Sequence, residues 1–203
     1  MKEPVPVILV VEDVLSEGVL RRILDVTRGR FLVTACLGKE GFGFIRKNLP
    51  VFNRVAPRSP FVILTDLDTN PCPSGMLREW FSEPLHPNLI IRVAVREVEA
   101  WLLADRRGFA RFAGIGLDAI PRDVEAIEHP KEFLIGISRR GHARIRGALV
   151  PREGKSARVG PDYNGCLLRF THHHWSVRRA AEASPSLARA CRALAAFRPM
   201  TDG

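Results

Sequence analysis

Residues Val5 to Val11 read VPVILVV, an apolar run rich in β-branched residues with no alternation of polar and apolar positions. A strand of that kind must be covered on both faces, the situation of an interior strand in a parallel sheet flanked by helices. The same signal returns at Phe31–Leu37, at Phe61–Thr65 and at Asn88–Val95. Between the first two lie Leu15, Val19, Ile23 and Val26 at helical spacing, with Arg21, Arg22 and Arg28 on other faces and Gly29 as the stop. Gly38, Gly41 and Gly43 turn the chain into a second helix expected to end before Pro50, and Pro57 and Pro60 mark a loop. Pro71 and Pro73 break the chain again, and Ser74 is expected to cap a short helix through Phe81. The order is βαβαβαβ, which right-handed crossovers fold into an α/β unit: a Rossmannoid parallel sheet with helices on both faces. Ligands of such sheets sit outside the carboxyl ends of the strands, where Glu12, Asp66 and Glu97 fall.

Beyond Glu97 the pattern is helical only: Val98–Ala104, Phe109–Phe112, Pro130–Ile137, Asn164–Trp175 and Pro185–Phe197, with Pro130 and Pro185 at first-turn positions. The expected division is an α/β domain over 1–115 and a basic, mainly α-helical C-terminal extension over 116–203, packed on it. A chain of 203 residues that is 46% hydrophobic can bury one substantial core and an appendage, not two full domains. Lys and Arg outnumber Asp and Glu by 31 to 22, a formal charge of +9 that favours polyanions, nucleic acid first and an anionic membrane surface second. No apolar stretch approaches the ~20 residues that span a bilayer, and the start MKEPVP lacks a signal-peptide layout. The expectation is a cytoplasmic protein with no membrane partner. Cys36, Cys72, Cys166 and Cys191 are widely spaced and form no CxxC pair, so they read as small buried hydrophobes. His172, His173 and His174 are consecutive positions of an expected helix and point in different directions; they read as polar surface with one inward ring.

The carboxylates carry the chemistry. Mg²⁺ takes a few carboxylate oxygens and keeps several waters, leaving room for a substrate phosphate. Glu12 from one strand end, with Asp66 and Asp68 from another, supplies such a set. Strand alternation would put Asp66 and Asp68 on one side, about 7 Å apart, with Leu67 pointing away. The assembly would polarise a phosphoryl oxygen and activate water near neutral pH. Ordinary structural roles also exist: Asp13 as a helix N-cap, and Glu97 and Glu99 as acids at the positive end of their helix. A DxD after a strand is common in loops. Three acid-bearing strand ends in a basic chain favour the metal reading.

The strand-Glu12 and strand-Asp66-Leu67-Asp68 arrangement resembles the Toprim domain of topoisomerases, primases and nucleases of the overcoming-lysogenization-defect type. More narrowly, VEDVLSEGVLRRIL, LTDLD, REVEAWLLAD, HPKEFL and GPDYNGCLLRF resemble a family of small bacterial Toprim-like proteins, some encoded beside ATPases in phage-defence loci. The resemblance implies that Glu12 does acid/base work or binds metal and that Asp66 and Asp68 bind Mg²⁺, for which Mn²⁺ could substitute. It also implies that Glu97 and Glu99 help a second metal. Asp13 stands where many Toprim domains have Gly, and Asn70 where topoisomerases place a further acid. Tyr163, the sole tyrosine, lies in the extension, so strand passage by a topoisomerase does not fit.

Other signals are weaker. Gly38 to Gly43 has neither GxxxxGK[ST] nor GxGxxG spacing and reads as a strand-to-helix turn, so ATP hydrolysis would need a separate ATPase subunit. Trp101, Trp175 and most phenylalanines occupy apolar helical positions and read as core. Arg139, Arg140, Arg144, Arg146, Arg152, Lys155 and Arg158 read either as a solvated face or as a flexible basic arm that grips nucleic-acid phosphates beside the cleft. Lys131, Lys155 and Arg96 are candidate transition-state cations. The function expected is a Mg²⁺-dependent nuclease working with an ATPase in phage defence. The alternative is a non-catalytic Toprim-like module that binds nucleic acid or regulates an ATPase, and a nucleotidyl transferase or primase-like activity would need a nucleotide pocket.

Overall fold

The structure, a computed structural model, describes residues 3–27, 29–154 and 156–200. Its elements run β1 (Val5–Val11), α1 (Val14–Asp25), β2 (Phe31–Gly38), α2 (Phe42–Val55), β3 (Phe61–Asp66), α3 (Pro73–Trp80) and β4 (Leu89–Ala94). There follow α4 (Val98–Ala104), α5 (Arg106–Ala113), α6 (Pro130–Ser138), α7 (Ala143–Leu149), α8 (Tyr163–His173), α9 (Val177–Ala183) and α10 (Pro185–Ala196). The four strands form one sheet, ordered β2-β1-β3-β4 and parallel at every pairing. The α/β expectation holds, with a helical C-terminal region.

Pleating sends alternate strand residues to opposite faces. Val10, Ile63 and Ile91 meet Ile45, Leu49 and Phe52 of α2 on one face, with Leu77 and Trp80 of α3 at the margin. Leu9, Val11, Val62, Leu64 and Ile90 face the other way into a larger core shared with α1, α4 and the later helices. In that core α8 lies against α1, α9 against α4 and α10 against β4. Trp101, Phe109, Phe170 and Trp175 are fully buried there. The indole N–H of Trp101 donates to Ser186 Oγ (2.7 Å) and that of Trp175 to the Trp101 carbonyl (3.1 Å), so each ring is buried with its polar atom satisfied.

Several local expectations are corrected. α2 continues through Pro50 to Val55 because Pro50 lies on the exposed face, while Leu49 and Phe52 stay buried. The lost backbone bond is offset by that apolar stripe. α1 stops at Asp25, before Gly29. α3 starts at Pro73, capped by Cys72, whose sulfur accepts from the Gly75 amide (3.3 Å); Cys72 is therefore exposed, and only Cys166 is fully buried. The Arg-rich stretch is no flexible arm throughout, since it contains α7, which buries Ile145, Ala148 and Leu149. α9 had no counterpart among the expected helices. His172, His173 and His174 are all exposed, and Thr171 and Trp175 on either side point inward instead. Among the described residues no helix is long and apolar enough to cross a membrane.

Candidate functional site

The chain leaves β1 toward β2 on one side and returns to β3 on the other, so the β1/β3 boundary is where strand order reverses. A crevice opens outside the carboxyl ends at such a point. Val11 pairs with Leu64, which sets Glu12 beside Thr65 and Asp66. The Thr65 hydroxyl and the Asp66 amide (2.8 Å) both donate to Glu12 Oε1. Burial pushes the Glu12 carboxyl above its ordinary pKa; the two hydrogen bonds oppose this, and the Asp68 and Asp13 charges add to it. Asp13 turns away to cap α1, accepting from the Ser16 amide at 2.7 Å.

Asp66 ends β3, and its Oδ1 accepts from the Val98 amide (3.0 Å) at the start of α4. Burial, with the charges of Glu99, Glu12, Asp68 and Asp13, holds its carboxyl well above the usual range. Asp68 does not continue the strand. Its φ of +49° is left-handed, a conformation that costs a non-glycine residue of order 1 kcal/mol. The alternation expected for the DxD pair therefore fails at Asp68, because the turn, not the pleat, aims that side chain. Leu67 and Asp68 amides donate to the Arg96 carbonyl (3.0 and 2.9 Å), and Arg96 Nη1 returns bonds to the carbonyls of Asp68 (3.1 Å) and Asn70 (2.8 Å). Asp66 and Asp68 still line one cleft of about 210 Å³, with Phe42, Arg46, Asn70 and Trp80 around them. Burial raises the Asp68 pKa, and the Lys131 ammonium opposes the rise.

A second rank stands behind these acids. Glu97 precedes α4 but spends its Oε2 on the Lys131 amide (2.7 Å), at the start of α6. Glu99 is buried; the Tyr163 hydroxyl donates to its Oε1 (2.9 Å), Lys131 Nζ lies 3.5 Å from the same oxygen, and Oε2 has no partner among the described residues. Burial pushes its carboxyl up to about 7 despite the nearby ammonium. Burial also works against the charge on Lys131, but Glu99, Glu97, Asp13 and Asp66 outweigh it and raise its pKa. Lys131 is thus the candidate cation that the structure brings to the acids. Arg96 is turned toward carbonyls, and Lys155 lies outside the described residues.

No protein-family model, curated protein or solved structure matches the chain. What the site can do is therefore read from its own atoms. Among the described residues no three His, Cys, Asp or Glu side chains form a ready-made metal-binding group. Hard oxygen donors with raised pKa values and an unpartnered buried carboxylate oxygen nevertheless suit Mg²⁺, which is commonly held by one or two carboxylates and completes its shell with water.

The basic residues read as a solvated face or a phosphate-gripping arm lie on the surface. Arg139, Arg140, Arg144, Arg146, Arg152 and Arg158 are exposed, but they do not line the Asp66/Asp68 cleft, whose wall cation is Arg46. Arg140 borders a separate hollow with Phe133 and Ile137, and Arg144 faces another cavity. α7 accounts for this, since its buried side fixes which way Arg144 and Arg146 project. Thr65, Arg46 and Tyr163 were not singled out from sequence as parts of the site. For Tyr163 the available signal was its place in the GPDYNG segment, which the fold sets against REVEA and HPKEF.

Proposed function

We propose that this protein is a Mg²⁺-dependent phosphodiesterase acting on DNA or RNA, centred on Glu12, Asp66 and Asp68. The observation that carries the reading is the placement of two carboxylates at the sheet's switch point, Glu12 bonded to the Asp66 amide and Asp66 opening on the Asp68 cleft, each disfavoured as an anion by burial and by neighbouring acids. Such a pair is best relieved by a cation. Asp66 and Asp68, with Glu12, would hold the metal, and Glu99 would act through water. Bound Mg²⁺ would supply Lewis-acid charge at a phosphoryl oxygen.

The chain's own groups do the rest. The Val98 amide fixes Asp66, and Thr65 with the Asp66 amide fixes Glu12 through Oε1, leaving Oε2 to hold or release a proton. Lys131 offsets the surplus negative charge behind the acids, and Arg46, 3.5 Å from Glu79 on the cleft wall, would exchange that exposed partner for the flanking backbone. The Toprim resemblance adds a separate ATPase subunit and a cytoplasmic phage-defence setting.

The test is cleavage of single- and double-stranded DNA and RNA with Mg²⁺, Mn²⁺ or EDTA by wild type, Asp66→Asn, Asp68→Asn and Glu12→Gln, with and without a co-encoded ATPase. Cleavage that needs the ion and falls by roughly a hundredfold or more in each variant supports the proposal. Equal cleavage by wild type and variants refutes it. A wild type inert toward every substrate, with and without the ATPase, refutes catalysis and leaves the binding-module reading.

A further inference from the structure

Away from the carboxylates, α5, α7, α9 and the residue closing α8 surround a cavity of about 540 Å³. Its charged and aromatic lining is Arg107 and Arg111 of α5, Arg144 of α7, Arg179 of α9, and His142 and His174 at helix ends. Arg107 and Arg111 are one turn apart on the same helix face, a spacing at which like charges repel. Among the described residues neither they nor Arg144 makes an ion pair.

Two acids bear on Arg179, Glu182 through its charge and Asp105 through hydrogen bonds, and Asp105 is fully engaged. Asp105 is 1% exposed; it accepts from Arg179 Nε and Nη2 (2.8 Å each), from the Ser176 amide (2.8 Å) and from the Gly108 amide (3.1 Å). That fork fixes Arg179 at the rim and leaves the other three guanidinium groups uncompensated. The pocket is closely built around these groups. A Cβ at Gly108 would collide with the Asp105 carboxylate, and one at Gly114 (φ +70°) with the His142 ring. Phe112 stands 5.3 Å from His174 between ring centroids, and Phe170 backs it at 5.1 Å, so one wall is a supported aromatic surface.

We propose that this pocket binds the phosphate of a nucleotide, with the arginines on the phosphoryl oxygens and the Phe112/His174 wall against the base. Planar guanidinium groups match phosphate oxygens in pairs, and base faces stack on such rings. A cavity of this volume is of small-ligand size. The ligand is a free mononucleotide or the phosphorylated end of a strand. The proposal goes beyond the carboxylate chemistry and stands whether or not that centre cleaves anything.

The test uses wild-type full-length protein in EDTA, so that metal-dependent cleavage plays no part. Binding of inorganic phosphate and AMP is followed by calorimetry, and binding of a short 3′-labelled oligonucleotide with a 5′-phosphate or a 5′-hydroxyl by fluorescence anisotropy. AMP should bind, and Arg107→Ala with Arg111→Ala should weaken it by about tenfold or more. Arg111→Lys, which keeps the charge and loses the fork, should fall between. A 5′-phosphate that strengthens oligonucleotide binding, with AMP competing, identifies the strand end. AMP binding with no effect of the 5′-phosphate identifies the free nucleotide. If phosphate and AMP fail to bind, or bind wild type and the folded double variant alike, the proposal is wrong.

Discussion

Replacing Glu99 by Gln keeps the shape of a buried side chain and removes its capacity to ionise. In the folded protein burial holds the Glu99 carboxyl at about 7, against 4.5 for the ordinary group. An acid with a raised folded-state pKa binds more protons folded than unfolded between those two values, so its contribution to stability falls as pH rises through that window. At one proton per molecule the loss accumulates to about 3 kcal/mol by pH 8. Glu99→Gln lacks this term, and the bond from Tyr163 to the retained oxygen survives. The variant should match wild type near pH 4.5 and be more stable at pH 8 by up to about 3 kcal/mol, a rise of roughly 5–10 °C in Tm for a chain of this size. Urea and thermal melts of both proteins across pH 4.5 to 8, compared as a difference so that other titrating groups cancel, measure it. Parallel curves, or a variant less stable at pH 8, would show that Glu99 is ionised throughout, with Lys131 as a full partner.

Lys131→Met removes the ammonium near Glu99, Glu97, Asp13 and Asp66. It should cost more stability at pH 8, where Glu99 has lost its proton, than at pH 5, where Glu99 is protonated; equal losses at both would refute an electrostatic pairing with Glu99. Asp105→Asn removes the charge from the fork to Arg179 while leaving the α5 cap partly intact, and should destabilise by about 2–3 kcal/mol in urea melts. A change below roughly 0.5 kcal/mol would mean that the α4, α5 and α9 junction does not rely on it.

Where a residue's neighbours in sequence are also its neighbours in space, the chain could be read directly. β1 was legible to the residue at Val5–Val11 and α4 at Val98–Ala104, because an unbroken apolar run and a helical stripe are local signals. Pro50 misled because propensity speaks of the backbone alone, whereas the burial of Leu49 and Phe52 decides that helix. α7 was hidden by its arginines, which mask three buried apolar positions in a short element. In the candidate site, Glu12 and Asp66 followed from strand order, whereas Asp68's aim depended on a left-handed turn. The meeting of Glu99, Lys131 and Tyr163 depends on how the first turns of α4, α6 and α8 pack, and no periodicity encodes that.

The reciprocal bonds around Arg96 join two loops into one mechanical piece. The link from β4 to α4 holds the amides of Leu67 and Asp68, the Arg96 guanidinium holds the following carbonyls, and Asp66 holds the first amide of α4. Neither loop can open while the other stays closed without abandoning several of these bonds at once. The acidic turn and the α4 entrance therefore form a single unit of local unfolding, and whatever loosens the mouth of one loosens the footing of the other.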